Sequence, residues 1–369
     1  MQEFEEIAII GMGLIGGSLA LALKNSDYIG KIIAYDVSKA TLIQAKSMGI
    51  IDSYCESPKE TIKNADLIIM AVPVGYYGEI FQEIASYIPL DTIITDVGSV
   101  KVYVEEIAKK YLPDEIQFVG GHPMAGSEKG GIGAASPSLY ENAYYFLTPA
   151  KNTTDETIIR LQKLVQKIGA YPVVIEAKEH DEIVAQISHI PHLTAVMLAN
   201  LLEKNNRHSY LSFVGGGFRD STRIASGNPY MWQDIFLFNK NEILRSIETL
   251  KEMLDVFKKE LQEENRVEVL EFLKKAKEIR DKIPHLGKDY IPPTYDLIID
   301  VEDRPGVLGE LTQIIGANKI NIKEIEILHA RQGERGAIRI AFASKFEQEK
   351  AFDILKNNAF PLTYRRGED

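Results

Sequence analysis

The sequence predicts an α/β protein in three parts. These are a doubly wound, mostly parallel sheet over residues 1–150 with a strand extension to about 176, an all-helical middle over 155–288, and a β-α-β-β-α-β tail over 295–369. Three observations predict it. Short, fully apolar runs alternate with helical patterns in the first part, as strands covered on both faces by crossover helices require. The middle keeps a helical apolar period almost throughout. Composition then changes across "DYIPPTYD", a proline-marked linker. A chain of 369 residues also exceeds one ordinary core.

The first element is "EIAIIGMGLIGGSLALALK", read as strand, turn and helix. It does not read as a signal peptide, because its flank "MQEFEE" is acidic, nor as a membrane span, because it is short and broken by glycines. Gly11, Met12, Gly13, Leu14, Ile15 and Gly16 form G-x-G-x-x-G. In that pattern the first glycine allows the tight turn, the second lets backbone approach a pyrophosphate, and the third packs helix on strand. The helix start then offers free N–H groups to the phosphate. A second apolar strand, "KIIAYD", ends on Asp36, twenty residues after Gly16, where a carboxylate would hold ribose hydroxyls. An acidic side chain there repels a 2′-phosphate, so the expected cofactor is NAD rather than NADP. Taken alone, the glycines also fit a turn that serves packing only.

Further strands follow in "ADLIIMAVP", "DTIITDVGSVK", "IQFVGGHPMAG" and "NAYYFLTPA". Ligands of such sheets sit past the carboxyl ends of the strands. That places Val72, Pro73, Gly98, Ser99, Gly121 and His122 as the residues to consider. His122 lies among glycines in "GGHPMAGSEKGG" and is the acid–base candidate of the sheet. On position alone it reads equally as a capped loop histidine. Glu128, six residues on, could touch the same pocket, and Ser99 could hydrogen-bond a substrate or His122.

In the middle, "HDEIVAQISHIPHLTAVMLANLLE" reads as one long apolar helix with a kink at Pro191. His189 and His192 share a face of it. They are either functional or hydrogen-bonded structural histidines. No H-E-x-x-H occurs, and no metal is expected. "FVGGGFRDSTRIASGNPYMWQDIF" follows, with Gly216 in its glycine run and Asp220 or Ser221 as the expected helix cap. Arg223 suits a bidentate clamp on a carboxylate. The plainer reading is a surface helix with an Asp–Arg pair. Trp232 is the only tryptophan.

Together "GMGLIGGS", "DVGSVK", "GGHPMAGSEKGG", "SHIPH" and "FRDSTRIASGNPYMW" resemble the prephenate dehydrogenases of tyrosine biosynthesis, in order over about the first 290 residues. The resemblance implies a Rossmann-type first domain and NAD-dependent oxidative decarboxylation of prephenate to 4-hydroxyphenylpyruvate. It implies that His122 accepts the proton or hydrogen bond of the ring hydroxyl, with Ser99 beside it, and that Arg223 binds carboxylate. Glu128, His189, His192 and Asp220 would shape the pocket. Gly216 and Trp232 lie where the family brings a partner subunit to the active site.

The tail strands are "YDLIIDV", "NIKEIEIL", "GAIRIAFA" and "PLTYRR", and its helices are "GVLGELTQIIGAN" and "EQEKAFDILKNN". That order is ferredoxin-like. "DRPGVLGELT" followed by "NKINIKEIEI" resembles the ACT domain, a small-molecule sensor that pairs with a second copy of itself. The resemblance implies an amino-acid effector beside Asp303, Arg304, Pro305, Gly306, Val307 and Leu308, with Asn321 as a second contact. L-tyrosine, the end product, is the expected effector. A homodimer is the expected assembly. A tail that only dimerises is the alternative.

The formal net charge of −11 argues against general nucleic-acid or anionic-membrane binding. The single cysteine, Cys55, excludes an intramolecular disulfide and fits a reducing, cytoplasmic setting. Other readings remain. An arogenate or dual-specificity cyclohexadienyl dehydrogenase shares these motifs. A 3-hydroxyacid dehydrogenase would need a lysine on the central helix, and none occurs between Lys178 and Lys204. A regulator sensing NAD and an amino acid would need neither His122 nor Arg223.

Overall fold

Strand β1 (Glu6–Ile10) has no polar interior position because both faces of its sheet are covered. Ile7 and Ile9 pack into one core, with Leu19 and Leu23 of the helix Leu14–Asn25 and Leu161 and Leu164 of the helix Asp155–Lys167. Ala8 and Ile10 point the other way, into a second core with Tyr77, Phe81, Val104 and Ile235. The alternation is the period of two expected of a strand. The computed structural model describes residues 4–28, 30–127, 130–204, 208–283, 295–302, 304–328, 336–358, 360 and 362–364.

After β1 come β2 (Lys31–Tyr35), β3 (Ser53–Tyr54), β4 (Leu67–Met70), β5 (Ile93–Asp96), β6 (Gln117–Pro123), β7 (Tyr144–Pro149) and β8 (Tyr171–Val174). They form one sheet in the order β3-β2-β1-β4-β5-β6-β7-β8. All neighbours are parallel except β6 and β7. The order reverses between β1 and β4, which opens a crevice at the carboxyl ends of those strands. The two-residue edge strand β3 is too short to show a pattern in the sequence.

Between β5 and β6 the backbone ladder ends at Thr95 opposite Val119. Side chains then continue it. Asp96 Oδ1 accepts from the Gly121 N–H at 2.8 Å, and Lys101 Nζ donates to the Gly121 carbonyl at 2.7 Å. Lys101 Nζ also meets both Asp96 oxygens, at 2.6 and 2.5 Å, and the pair is fully buried. Only glycine fits at position 121, since a Cβ there would collide with the Asp96 carbonyl. Burial opposes charge on both partners, raising the Asp96 carboxyl and lowering the Lys101 ammonium from their ordinary values, and their contact offsets it.

The helical middle belongs to the same unit as the sheet, Met1–Ile283. Trp232, Ile235 and Phe238 of the helix Pro229–Phe238 pack on the second core, and the Phe238 ring stacks on Tyr103 at 3.9 Å. Two expectations need correction here. The long apolar helix is not one helix kinked at Pro191. It runs as α over Ala177–Val184, as a π-helical turn over Ala185–His189, and as α again from Ile190. The Ile190 N–H reaches five residues back to the Ala185 carbonyl. The wider turn precedes Pro191, which has no N–H with which to continue an α ladder.

The second correction concerns the cap. Neither Asp220 nor Ser221 caps a helix. Gly215 is the cap of the short helix Gly216–Thr222, which contains both residues, and Asn228 caps the helix Pro229–Phe238. The sequence pattern was shifted because the glycine run is itself the start of the short helix.

The second unit, Pro284–Asp369, holds β9 (Tyr295–Val301), β10 (Ile322–Leu328), β11 (Gly336–Phe342) and β12 (Leu362–Tyr364). They form an antiparallel sheet in the order β10-β11-β9-β12. The helices Val307–Ala317 and Lys345–Asn357 bury Leu311, Ile315, Ala351 and Leu355 against its Leu297, Ile299, Ile338 and Ile340. No helix among the described residues is long and apolar enough to cross a membrane.

Lys101→Met keeps much of the volume but leaves Asp96 buried and unpaired. The expected loss is ~3–5 kcal/mol. It is read as a lower urea midpoint of the Trp232 fluorescence transition, since this single tryptophan reports the first unit. A parent-like midpoint would show that the pair contributes nothing net.

Candidate active site

The turn after β1 is a cradle. Gly11 sits at φ +105°, a conformation that side-chain-bearing residues rarely adopt, and its N–H donates to the Tyr35 carbonyl at 2.8 Å. A Cβ at Gly16 would run into the Gly11 carbonyl, so the helix start lies tight against the strand end. Gly13 caps that helix without a side-chain bond, and nothing lies within 4 Å of where its Cβ would stand.

Asp36, just past β2, holds the loop in place. Its Oδ2 accepts from Met12 N and its Oδ1 from Ser38 N, each at 2.8 Å. Each carboxylate oxygen retains a lone pair for a further donor such as a ribose hydroxyl. The Met12 side chain is buried in the first core, so it offers a ligand only backbone. Leu14 and Ile15 open the helix, and the Ile15 carbonyl accepts from the Tyr140 hydroxyl at 2.6 Å. Val72 and Pro73 follow β4, with Val72 Cγ1 beside Gly11. An uncapped helix start, an open glycine and a carboxylate at the neighbouring strand end fit a dinucleotide.

His122 lies near the end of β6, one residue past Gly121, whose peptide is hydrogen-bonded to the Asp96–Lys101 pair, and is 8% exposed. Its Nδ1 is 2.8 Å from His180 Nε2, and His180 Nδ1 is 2.8 Å from Asp181 Oδ1. Asp181 Oδ1 and Oδ2 also accept from the backbone N–H groups of Lys101 (2.8 Å) and Val102 (3.0 Å). Asp181 thereby caps the helix Val102–Tyr111, whose own cap residue, Lys101, makes no side-chain cap bond. Burial, with His180, Lys101 and His189 nearby, pushes His122 well below the usual imidazole range. Burial lowers His180 to about 2. It lowers His189 to about 4 against the attraction of Asp181. His192 is lowered by burial alone.

The remaining candidates divide. His189 Nδ1 meets Asn239 Nδ2 at 3.2 Å, and Asn239 also donates to the Asp181 carbonyl at 2.9 Å. His192 stacks on Trp232 at 3.5 Å, and its buried Nδ1 has no partner among the described residues. Trp232 thus stands beside the histidines of its own chain. Ser99 is half-buried past the end of β5 and is not bonded to His122 among the described residues.

Arg223 and Asp220 are exposed and form no ion pair with each other among the described residues, so the surface Asp–Arg pair is not made. The turn that carries Arg223 packs against the helix of His192. Gly216 opens the short helix, with open space around it. Glu128 lies outside the described residues. The residues that sequence reasoning missed are Asp96, Lys101, His180, Asp181 and Asn239. The one available signal was a lysine and an aspartate flanking an otherwise apolar strand end in "DVGSVK".

Within the tail a cavity of about 420 Å³ opens at the first strand–helix turn. Arg304 and Val307 line it, with Asn358 and Phe360 from the far end of the domain. Arg304 pairs with Glu310 through two bonds of 3.1 and 2.6 Å. Gly306 takes φ +92° as helix cap. Pro305, Leu308 and Asn321 are not part of the cavity wall, and Asn321 is exposed. Asp303 lies outside the described residues.

The likenesses to known proteins follow the same division. Residues 19–174 match the family model described as prephenate dehydrogenase, nucleotide-binding domain. Residues 176–275 match prephenate dehydrogenase, dimerization domain, and residues 295–359 match the ACT domain. A prephenate dehydrogenase of Bacillus subtilis is 38% identical over 361 residues, 97% of either chain. The crystal structure of prephenate dehydrogenase from A. aeolicus, in complex with hydroxyphenyl propionate and NAD+, superposes with a TM-score of 0.72 at 32% identity. It covers 76% of this chain and 98% of that one. The crystal structure of Synechocystis arogenate dehydrogenase gives 0.66 at 26% identity, over 75% and 99% of the two chains. With the dinucleotide cradle and the buried histidine already in place, this agreement over nearly the whole length makes the chain a member of the prephenate dehydrogenase family, an NAD-dependent oxidoreductase.

Proposed function

We propose that this chain converts prephenate to 4-hydroxyphenylpyruvate and carbon dioxide in L-tyrosine synthesis, and that L-tyrosine acts back on it through the tail. The observation that carries the reading is His122, buried and held neutral at a strand end of the sheet that bears the dinucleotide cradle. NAD, when bound, supplies the hydride acceptor. His122 takes the proton of the ring hydroxyl as the ring carbon becomes carbonyl-like. It returns that proton to the oxygen when carbon dioxide leaves and the ring becomes aromatic. Ser99 is the second hydrogen-bonding group.

Arg223 is exposed and without an ion pair among the described residues, which suits a cation reserved for a substrate carboxylate. The unmet Nδ1 of His192 suits a polar group of the substrate. Glu128, His189, Asp220, Gly216 and Trp232 complete the proposed pocket. The protein acts as a homodimer on this reading. The matched dimerization domain supports it, as do Leu244, Leu254, Leu261, Val267 and Leu270, all exposed on the helices Lys240–Gln262 and Arg266–Lys282. In the tail, an effector carboxylate would take Arg304 over from Glu310, its present partner at the cavity, and Val307 offers an apolar contact.

Purified protein mixed with NAD and prephenate is expected to produce NADH, and arogenate is expected to give far less. Comparable turnover of arogenate would instead favour the substrate of the Synechocystis relative. No turnover of either by protein that binds NAD would sink the reading. Tyrosine is expected to suppress turnover, and Arg304→Ala to abolish that suppression while leaving the rate without tyrosine unchanged. Equal tyrosine sensitivity in Arg304→Ala would remove the tail cavity from the proposal.

The pH dependence has a definite sign. A base works deprotonated, so kcat/KM rises with pH through its pKa, and burial places that pKa below the ordinary 6.5. The acid limb of log kcat/KM is expected below pH 6.5, and His122→Asn is expected to remove both the limb and the turnover. An acid limb at or above 6.5 would contradict a buried neutral base.

A further inference from the structure

We propose that His180, oriented by Asp181, is a positioning residue for the reaction: the two fix His122 in the tautomer with its proton on Nδ1 and leave Nε2 as the acceptor for the substrate hydroxyl. The inference rests on the role given to His122 above and adds the groups that make that role possible. It follows from one chain of contacts. Asp181 Oδ1 receives the Lys101 N–H at 2.8 Å, and Oδ2 receives the Val102 N–H at 3.0 Å. Both oxygens are therefore acceptors at the positive end of the helix Val102–Tyr111; burial raises this carboxyl, and the two N–H donors, with the Lys101 charge and the helix end, oppose that and favour the carboxylate.

An acceptor-only Asp181 requires the hydrogen of its 2.8 Å contact to come from His180 Nδ1. A neutral imidazole with its proton on Nδ1 has a lone pair on Nε2. That lone pair faces His122 Nδ1 at 2.8 Å, so His122 must supply the hydrogen of this second contact. Its own Nε2 is left bare. The His180 ring cannot turn away. It is fully buried, with Phe146 packed edge-on at 5.3 Å and the His122 ring at 5.0 Å.

The arrangement also accounts for the proton. When the substrate O–H bond breaks and an N–H bond forms at His122 Nε2, the resulting cation already points its Nδ1–H at an acceptor. That acceptor's own N–H points at the Asp181 carboxylate. No second proton has to move, and the transferred proton is free to return to the substrate oxygen. Asp181 thus stabilises a cation two bonds away through a neutral ring.

The full-length protein labelled with nitrogen-15 in histidine tests this directly. Long-range proton–nitrogen correlation spectra separate the two neutral tautomers, and His122 is the signal missing from His122→Asn. A protonated Nδ1 and bare Nε2 are expected. A protonated Nε2 on His122 would overturn the proposal. In kinetics, His180→Leu is expected to lower kcat for prephenate on the order of 10²-fold. KM for prephenate and the affinity for NAD should stay near the parent's. His180→Gln, whose amide oxygen still accepts from Nδ1, should recover part of the rate. A parent-like kcat in His180→Leu overturns the positioning role even if His122→Asn is dead. Should His180→Leu fail to fold, the parent spectrum decides alone. Failure of the parent to turn over prephenate would strike the proposed function instead, and the tautomer would still be read.

Discussion

The buried Asp96–Lys101 pair is the contact on which the geometry of the first unit depends. Desolvation makes such a pair a poor source of stability, since a well-packed apolar replacement often does as well. Its effect here is positional. It joins the end of β5, the start of the helix Val102–Tyr111 and the Gly121 peptide of β6, with Gly98 N and the Tyr77 hydroxyl also bonded to Asp96 Oδ2. His122 follows Gly121 directly, so its backbone inherits every one of these constraints. The Lys101 ammonium has no lone pair with which to accept the first N–H groups of the helix it precedes, and Asp181 accepts them from 80 residues away. The same aspartate then holds His180, and Asn239 bonds its carbonyl. One ion pair at a strand end thus dictates where the helical middle attaches.

Much of this fold is written in local pattern. The central strands of the large sheet are apolar over most of their length because two cores cover them, and the tail strands alternate because helices cover one face. The glycine spacing and Asp36 are legible because their geometry is set within a single strand–turn–helix unit. The motifs that resemble the family draw attention to His122 and Arg223, which the structure sets within β6 and in the turn after the helix Gly216–Thr222. What pattern does not show is which distant polar groups meet. His180 and Asp181 begin a helix, where charged residues usually face water, and nothing in their spacing from His122 or Lys101 announces contact.

The expected cap at Asp220 failed for a related reason: the glycines before it look like a loop when they are the first turn of helix. The single long helix failed because the π-helical turn keeps the apolar content and changes only the phase. Asn321, just before β10, is exposed and outside the tail cavity wall, whereas Asn358 and Phe360, brought back to the first turn by the closed sheet, line that wall.

The contrast between His122 and Arg223 follows from desolvation. A neutral imidazole with one nitrogen already bonded can be buried at modest cost, and burial is what holds it neutral. A guanidinium cannot shed its charge. Burying it without a counter-ion would cost several kcal/mol, and Arg223, which has no ion pair among the described residues, stays in solvent. The tail solves the same problem differently. Arg339 is 7% exposed, and Asp296, Glu324 and Glu326 surround it within 2.9 Å. Where this chain buries an arginine it supplies the anions itself.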